Sequence, residues 1–358
     1  MTSDKKHKSN IKKIGSYALP FILMAVFLYL AFKNVDLGEA FYLIGEDTSI
    51  TYLIFFIAVF YFSHILRALR WKVIISSVKK DASIFNLFGA TMIGYGVNCV
   101  IPRLGELYRG LFAGKWEGLS RSSMLGTIIV ERIIDILSLG FSVLISVMIY
   151  PGNLYQDIPW LKSALVLGFI AIIVIIIILA LLVMLKEKFY NAIVKFVGKI
   201  SVKASQKLAD IFKTLILGFS SLKGWKTYVL TIILSVAIML VYGYNSYIGF
   251  YMLGMQNFHE ITFSMAWVLM TIMAFGIIIP TPGGTGSYHA IGQLVMVSLF
   301  GFTSEAAAAY VILTHAISYV FFISSTVFFT FVVNKIQIRK GGRKENFFSV
   351  FRNTKEEE

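Results

Sequence analysis

Two hydrophobic runs in this chain stop at a proline followed by glycine while still deep in apolar sequence. The first break is Ile101-Pro102-Arg103-Leu104-Gly105-Glu106. The second is Ile279-Pro280-Thr281-Pro282-Gly283-Gly284-Thr285-Gly286. Hydrocarbon tolerates no exposed backbone N–H or C=O, so irregular backbone at that depth must be buried in protein or face a wet cavity. Gly/Pro interruptions at corresponding points of two halves point to a transporter's binding site.

The membrane premise rests on composition. Hydrophobic residues make up 57% of the chain and charged ones 15%. The stretch from Ala164 to Leu185 carries no charge, and about 20 such residues cross a bilayer. A formal net charge of +14 could suggest nucleic acid. The lysines, however, sit in tails and loops flanking apolar runs, as the positive-inside bias requires. No nucleic-acid motif interleaves with them, so nucleic acid is not an expected partner. Cys99 is the one cysteine, the five histidines are scattered and there is no C-x-x-C, so neither a disulfide nor a metal or cofactor is expected. Lys5, Lys6, Lys8, Lys12 and Lys13 precede an apolar run from Ile14 to Phe32 without a small-x-small cleavage site, which reads as an uncleaved signal anchor.

Loop charge orders the spans. Residues 1–13 are a basic cytosolic N-terminus and 14–335 a single transmembrane domain. Span one, 14–32, leads to an acidic outer loop; span two, 50–66, returns to Arg67, Arg70, Lys72, Lys79 and Lys80. His64 and Trp71 read as interfacial. Residues 85–101 are too short to cross comfortably and are flanked by basic loops, so they form a hairpin re-entering from the cytosol. Span three, 123–150, and span four, 161–185, follow. The segment 186–226 holds nine lysines, with apolar residues at helical spacing, and reads as an amphipathic helix on the inner leaflet. Span five, 228–253, a second broken pair, 261–279 and 287–300, and a last span, 305–333, complete the domain; 336–358 is a polar cytosolic tail without fixed structure.

The expected fold is therefore an all-α polytopic membrane protein with about six full transmembrane helices and two re-entrant broken hairpins in an inverted repeat, at 50–150 and 228–333. A second marker supports the repeat. Gly118-Leu119-Ser120 precedes Arg132 by the spacing with which Gly301-Phe302-Thr303 precedes His315, and each triplet reads as the N-cap of its half's last span. Opposed repeats suit alternating access around a central cavity.

Ionisable groups inside a span are functional candidates by default. Glu131 and Asp135 are four apart on one helix face, with Arg132 three before Asp135. They need cations nearby, and Arg103, Arg109 and Arg132 are the candidates, alongside Glu106. One reading is a charged cavity for an anionic headgroup, because the guanidinium fork suits phosphate. The other is an ion-pair network that only pins the hairpin. The turn from Thr281 to Gly286, with Pro280 and Pro282, could cradle a phosphate on backbone N–H groups, or its Gly283, Gly284 and Gly286 could merely permit a tight bend. No P-loop is present. His289 and His315 read as hydrogen-bonding residues, with proton coupling as the sharper alternative.

At these residues the chain resembles a known family. Pro102-Arg103-Leu104-Gly105-Glu106-Leu107, Val130-Glu131-Arg132-Ile133-Ile134-Asp135 and Pro282-Gly283-Gly284-Thr285-Gly286 look like signatures of the transmembrane, flippase-like domain of bacterial lysylphosphatidylglycerol synthases, over residues 14–335. In full-length synthases such a domain moves aminoacylated lipid between leaflets, while a separate cytosolic domain makes it. The resemblance implies lipid translocation without aminoacylation in a bacterial cytoplasmic membrane, and the terminal charges place both termini in the cytosol. Its substrate would be an anionic, polyprenyl-linked or glycolipid molecule. The alternative it implies is a non-transporting accessory subunit for a lipid glycosyltransferase or synthase partner. A lipid-modifying transferase is a minor third reading. The chain departs from the family at His289 and His315, where an acidic residue and an arginine are usual.

Overall fold

The computed structural model describes residues 18–152 except 77, scattered positions between 156 and 206, residues 224–339, 341, and 344–351. The expected fourth span and the basic surface helix fall largely outside the described residues. Among the described residues ten α-helices are named here: α1 Ala18–Phe32, α2 Leu37–Asp47, α3 Ile50–Ile75, α4 Ile84–Val100, α5 Gly105–Glu117, α6 Arg121–Ile149, α7 Trp225–Met252, α8 Phe263–Ile278, α9 Ser287–Ser298 and α10 Ser304–Arg339. No strand occurs among them. Four helices (α3, α6, α7 and α10) are long and apolar enough to cross a membrane, and α1 with α2, bent by 81°, makes a fifth if counted as one broken span. Asp36 starts α2 at that bend, its carboxylate accepting from the Gly38 and Glu39 N–H groups at 2.9 and 3.2 Å.

Both breaks occur where the sequence places them. The 17-residue α4 and 16-residue α8 are too short, at about 1.5 Å per residue, for a hydrocarbon core of roughly 30 Å. Helix α8 turns through Pro282–Gly284 and packs back against α9. The Gly-x-Ser and Gly-x-Thr triplets both act as expected. Gly118 and Gly301 adopt positive φ, 65° and 70°, and end the preceding helix. The Ser120 hydroxyl caps α6 by accepting from the Ser123 N–H at 3.2 Å, and the Thr303 hydroxyl caps α10 from the Ala306 N–H at 3.2 Å.

Two expectations need correction. Helix α3 does not end near Leu66 but runs to Ile75, and His64 and Trp71 are buried rather than interfacial. The charged residues Arg67 and Arg70 can stay helical and buried because carboxylates meet them. The tail also departs from expectation: α10 continues to Arg339, and residues 345–351 fold onto α5.

The described chain forms two compact units. The first is residues 1–62, 92–105 and 241–327; the second is 63–91, 106–240 and 328–358. Each draws on both halves of the expected repeat. In the first, Phe56, Ile248, Met252 and Ile317 form a buried apolar cluster, and Tyr95 stacks on Phe322 with ring centroids 4.7 Å apart. In the second, Glu117 at the end of α5 takes Asn86 Nδ2, in the first turn of α4, at 2.6 Å and Lys79 Nζ, in the loop after α3, at 3.2 Å.

Candidate functional site

The expected site residues divide into two clusters of different chemistry. In the second unit, Glu106 and Arg109 on α5 and Glu131, Arg132 and Asp135 on α6 meet two residues that sequence reasoning assigned to a basic loop, Arg67 and Arg70 on α3. Arg67 Nη2 lies 3.1 Å from Glu131 Oε1 and 2.7 Å from Asp135 Oδ2. Arg70 Nη2 lies 3.2 Å from Glu131 Oε1 and also pairs with Asp135 Oδ1, while its Nη1 donates to Ser235 Oγ of α7 at 3.0 Å. Two carboxylates four apart on one helix would repel; two guanidiniums three apart on α3 bridge both. Arg109 Nη2 approaches Glu131 Oε2 at 2.7 Å. Its guanidinium carbon also sits 3.9 Å from the centre of the Trp71 ring, a cation–π contact. The Trp71 indole N–H is fixed by Thr127 Oγ1 at 3.0 Å.

Exposure grades across this cluster. Glu131 and Arg70 are fully buried at 0%, Arg109 and Arg67 are 3% and 4% exposed, and Asp135 is 16%. Arg132 is 38% exposed and Glu106 32%, and their ion pair is long, with Nε to Oε1 at 3.9 Å. Arg132 Nη1 also lies 3.5 Å from Asp135 Oδ2. Within this group four guanidiniums face three carboxylates, and the open edge is at Arg132 and Glu106. The signal for Arg67 and Arg70 was present as an i, i+3 arginine pair on an apolar helix. The positive-inside rule absorbed it.

The first unit gathers the rest, and mostly without charge. The Tyr319 hydroxyl on α10 donates to the carbonyls of Pro282 at 2.6 Å and Cys99 at 3.1 Å, joining both breaks through one side chain. Its proton being committed to carbonyls, Tyr319 accepts from the Thr285 hydroxyl at 2.8 Å. Thr285 Oγ1 then accepts from His315 Nε2–H at 3.2 Å. The Gly286 N–H donates to His289 Nδ1 at 3.2 Å, capping α9. The two imidazoles meet edge to face with centroids 4.6 Å apart, and Phe32 of α1 covers His289 at 5.6 Å. This chain of hydrogen bonds ends at backbone carbonyls, which pass no proton onward.

Arg103 belongs to this unit rather than to the charged cluster. It holds a left-handed backbone, φ 63°, which costs a non-glycine residue about 1–3 kcal/mol. Its Nη2 donates to the Ile278 carbonyl at 2.9 Å, at the end of α8, where a cation meets an otherwise unsatisfied helix terminus. Pro280 and Pro282 flank Thr281, whose hydroxyl meets Ser287 Oγ at 3.0 Å. The glycines serve packing here. Gly283 and Gly286 have φ 55° and 88°; a methyl on Gly283 would stand 2.5 Å from the Tyr319 hydroxyl, and one on Gly286 2.6 Å from the Met24 carbonyl of α1. Protein fills the space that a side chain at either position would need. A methyl on Gly284 would find nothing nearer than 3.8 Å.

A family model described as the lysylphosphatidylglycerol synthase TM region matches residues 17–325. A UPF0104 membrane protein of Methanocaldococcus jannaschii is 24% identical over 319 residues, 86% of this chain and 92% of that protein. Another, of Methanothermobacter thermautotrophicus, is 25% identical over 266 residues, 71% of this chain and 77% of that protein. No solved structure matches. The chain is a multi-pass membrane protein and belongs to the lysylphosphatidylglycerol synthase TM region family.

Proposed function

From that membership, we propose that the chain moves an anionic lipid, phospholipid or polyprenyl-linked, between the leaflets of a bacterial cytoplasmic membrane, with both termini in the cytosol. On this reading it carries the lipid and does not alter it. The observation that supports it is the open edge of the charged cluster. A buried core of ion pairs carries Arg132 at its rim, 38% exposed and held by Glu106 and Asp135. A guanidinium so placed offers a planar fork to a phosphate, which an ammonium cannot match. Glu106 and Asp135 beside it hold the guanidinium in place until a headgroup competes for it. Arg103 and the glycine turn act at the hairpin tips.

A second reading is a non-transporting accessory subunit that presents lipid to a synthase or glycosyltransferase. The closure of the cluster favours it: Glu131, completely buried among three arginines, suits a rigid pin better than a moving part. The two readings part in reconstituted vesicles. With fluorescent phosphatidylglycerol and a membrane-impermeant quencher, translocation predicts faster loss of inner-leaflet signal than in protein-free vesicles, slowed in Arg132→Gln. Rates equal to those of empty vesicles would remove translocation and leave the accessory role.

A further inference from the structure

The tail beyond α10 docks on the one helix that reaches the charged cluster from the hairpin. Asn334, on the last turns of α10, is 3% exposed. It clasps Glu345 from both sides, Oδ1 accepting the Glu345 N–H at 3.0 Å and Nδ2 donating to the Glu345 carbonyl at 2.5 Å. Asn346 Oδ1 then accepts from the Phe348 and Ser349 N–H groups at 2.9 and 2.7 Å, starting a short 3-10 turn, Ser349–Phe351. Ser349 Oγ closes back on Glu345 Oε2 at 2.7 Å, and Val350 is fully buried. Between these anchors the Phe347 ring sits against Tyr108 and Phe112 of α5, at 5.4 and 5.5 Å. The Tyr108 hydroxyl donates to the Phe347 carbonyl at 3.0 Å, and Gln337 Nε2 holds the Trp116 carbonyl at 3.1 Å.

Tyr108, Phe112 and Trp116 are spaced i, i+4, i+8 and form one stripe of α5. Arg109 and Glu106, which meet Glu131 and Arg132, lie on the same helix outside that stripe. The hairpin helix is short, 13 residues, and its rotation sets where Arg109 and Glu106 reach. A covered aromatic stripe fixes that rotation, whereas an uncovered one leaves α5 free to roll. The tail thus has leverage on Arg132 without touching it.

We propose that residues 345–351 are a strap that positions α5, so that Phe347 acts through Tyr108 and Phe112 to set the affinity of the Arg132 site for an anionic headgroup. This rests on the headgroup reading of Arg132. Phe347 is a positioning residue: it holds the helix and does not contact lipid.

The test is a titration of the full chain in mild detergent with phosphatidylglycerol and, separately, phosphatidylethanolamine, followed by native mass spectrometry. Phe347→Ala and a chain ending after Lys344 should bind phosphatidylglycerol about fivefold or more weakly, a coupling of ordinary size. Their weak binding of phosphatidylethanolamine should not change, and Phe347→Leu should restore most of the loss. A double variant, Asn334→Cys with Glu345→Cys, locks the strap by a disulfide in an otherwise intact chain. Its oxidised form should bind as the wild type and its reduced form fivefold less. Equal affinity in both redox states, or wild-type affinity in Phe347→Ala, would overturn the strap while leaving the headgroup site standing. If Arg132→Gln also binds phosphatidylglycerol as the wild type does, the headgroup reading itself fails, and the strap with it.

Discussion

The cluster around Glu131 and the junction around Thr285 both place polar groups inside apolar helices, one with full charges and the other with neutral dipoles. A charge removed from water must stay paired, so the Glu131 lattice has one arrangement and a high cost of disruption. Hydroxyl, imidazole and carbonyl contacts are each worth about 1 kcal/mol net and can exchange partners. The charged region is therefore the fixed anchor, and on the proposed reading its open edge receives an anion. The neutral junction, which ties both helix breaks to Tyr319, is the part able to rearrange. His315 stands where the repeat spacing matches Arg132, so the two halves share a frame but not a charge.

The contrast makes a ranked set of outcomes. Glu131→Gln leaves Arg67, Arg70 and Arg109 facing a neutral amide and should cost about 3–5 kcal/mol. It would be read as loss of monodisperse protein on extraction or a large fall in melting temperature. A mild effect would mean that the cluster is not the anchor. Gly286→Ala forces a methyl against the α1 backbone at φ 88° and should cost about 1–3 kcal/mol from strain alone. Gly284→Ala shares the backbone strain, at φ 79°, but meets nothing nearer than 3.8 Å, so it should cost less in the same melting assay. Tyr319→Phe unties two carbonyls from one hydroxyl, so about 1–3 kcal/mol is expected, with phosphatidylglycerol binding unchanged. A loss of binding there would move headgroup recognition toward the breaks. Ser120→Ala and Thr303→Ala should each cost about 1 kcal/mol; unequal effects would weaken the correspondence between the triplets.

The architecture was legible where it followed from the solvent. Apolar length, the two Pro/Gly breaks and the capping triplets are each dictated by backbone hydrogen bonding in hydrocarbon, which local sequence carries. The site was half legible. Glu131 and Asp135 announced themselves as intramembrane carboxylates, but their main partners sit 61 to 68 residues away. At that range a flanking arginine at a membrane edge and a buried one read alike. The loop reading of Arg67 and Arg70 failed because α3 extends past its apolar run once cross-helix carboxylates compensate the guanidiniums. Phe347 was missed for a similar reason: three phenylalanines in a polar tail, Phe347, Phe348 and Phe351, show nothing of the Tyr108 and Phe112 stripe that receives the first of them.

The most direct test of the central claim is lipid identification by mass spectrometry on protein purified in mild detergent, wild type against Arg132→Gln, with Arg132→Lys alongside. The account predicts one anionic lipid class enriched on the wild type, lost in the glutamine variant and partly kept by lysine. The same lipids at the same abundance on all three proteins would contradict it.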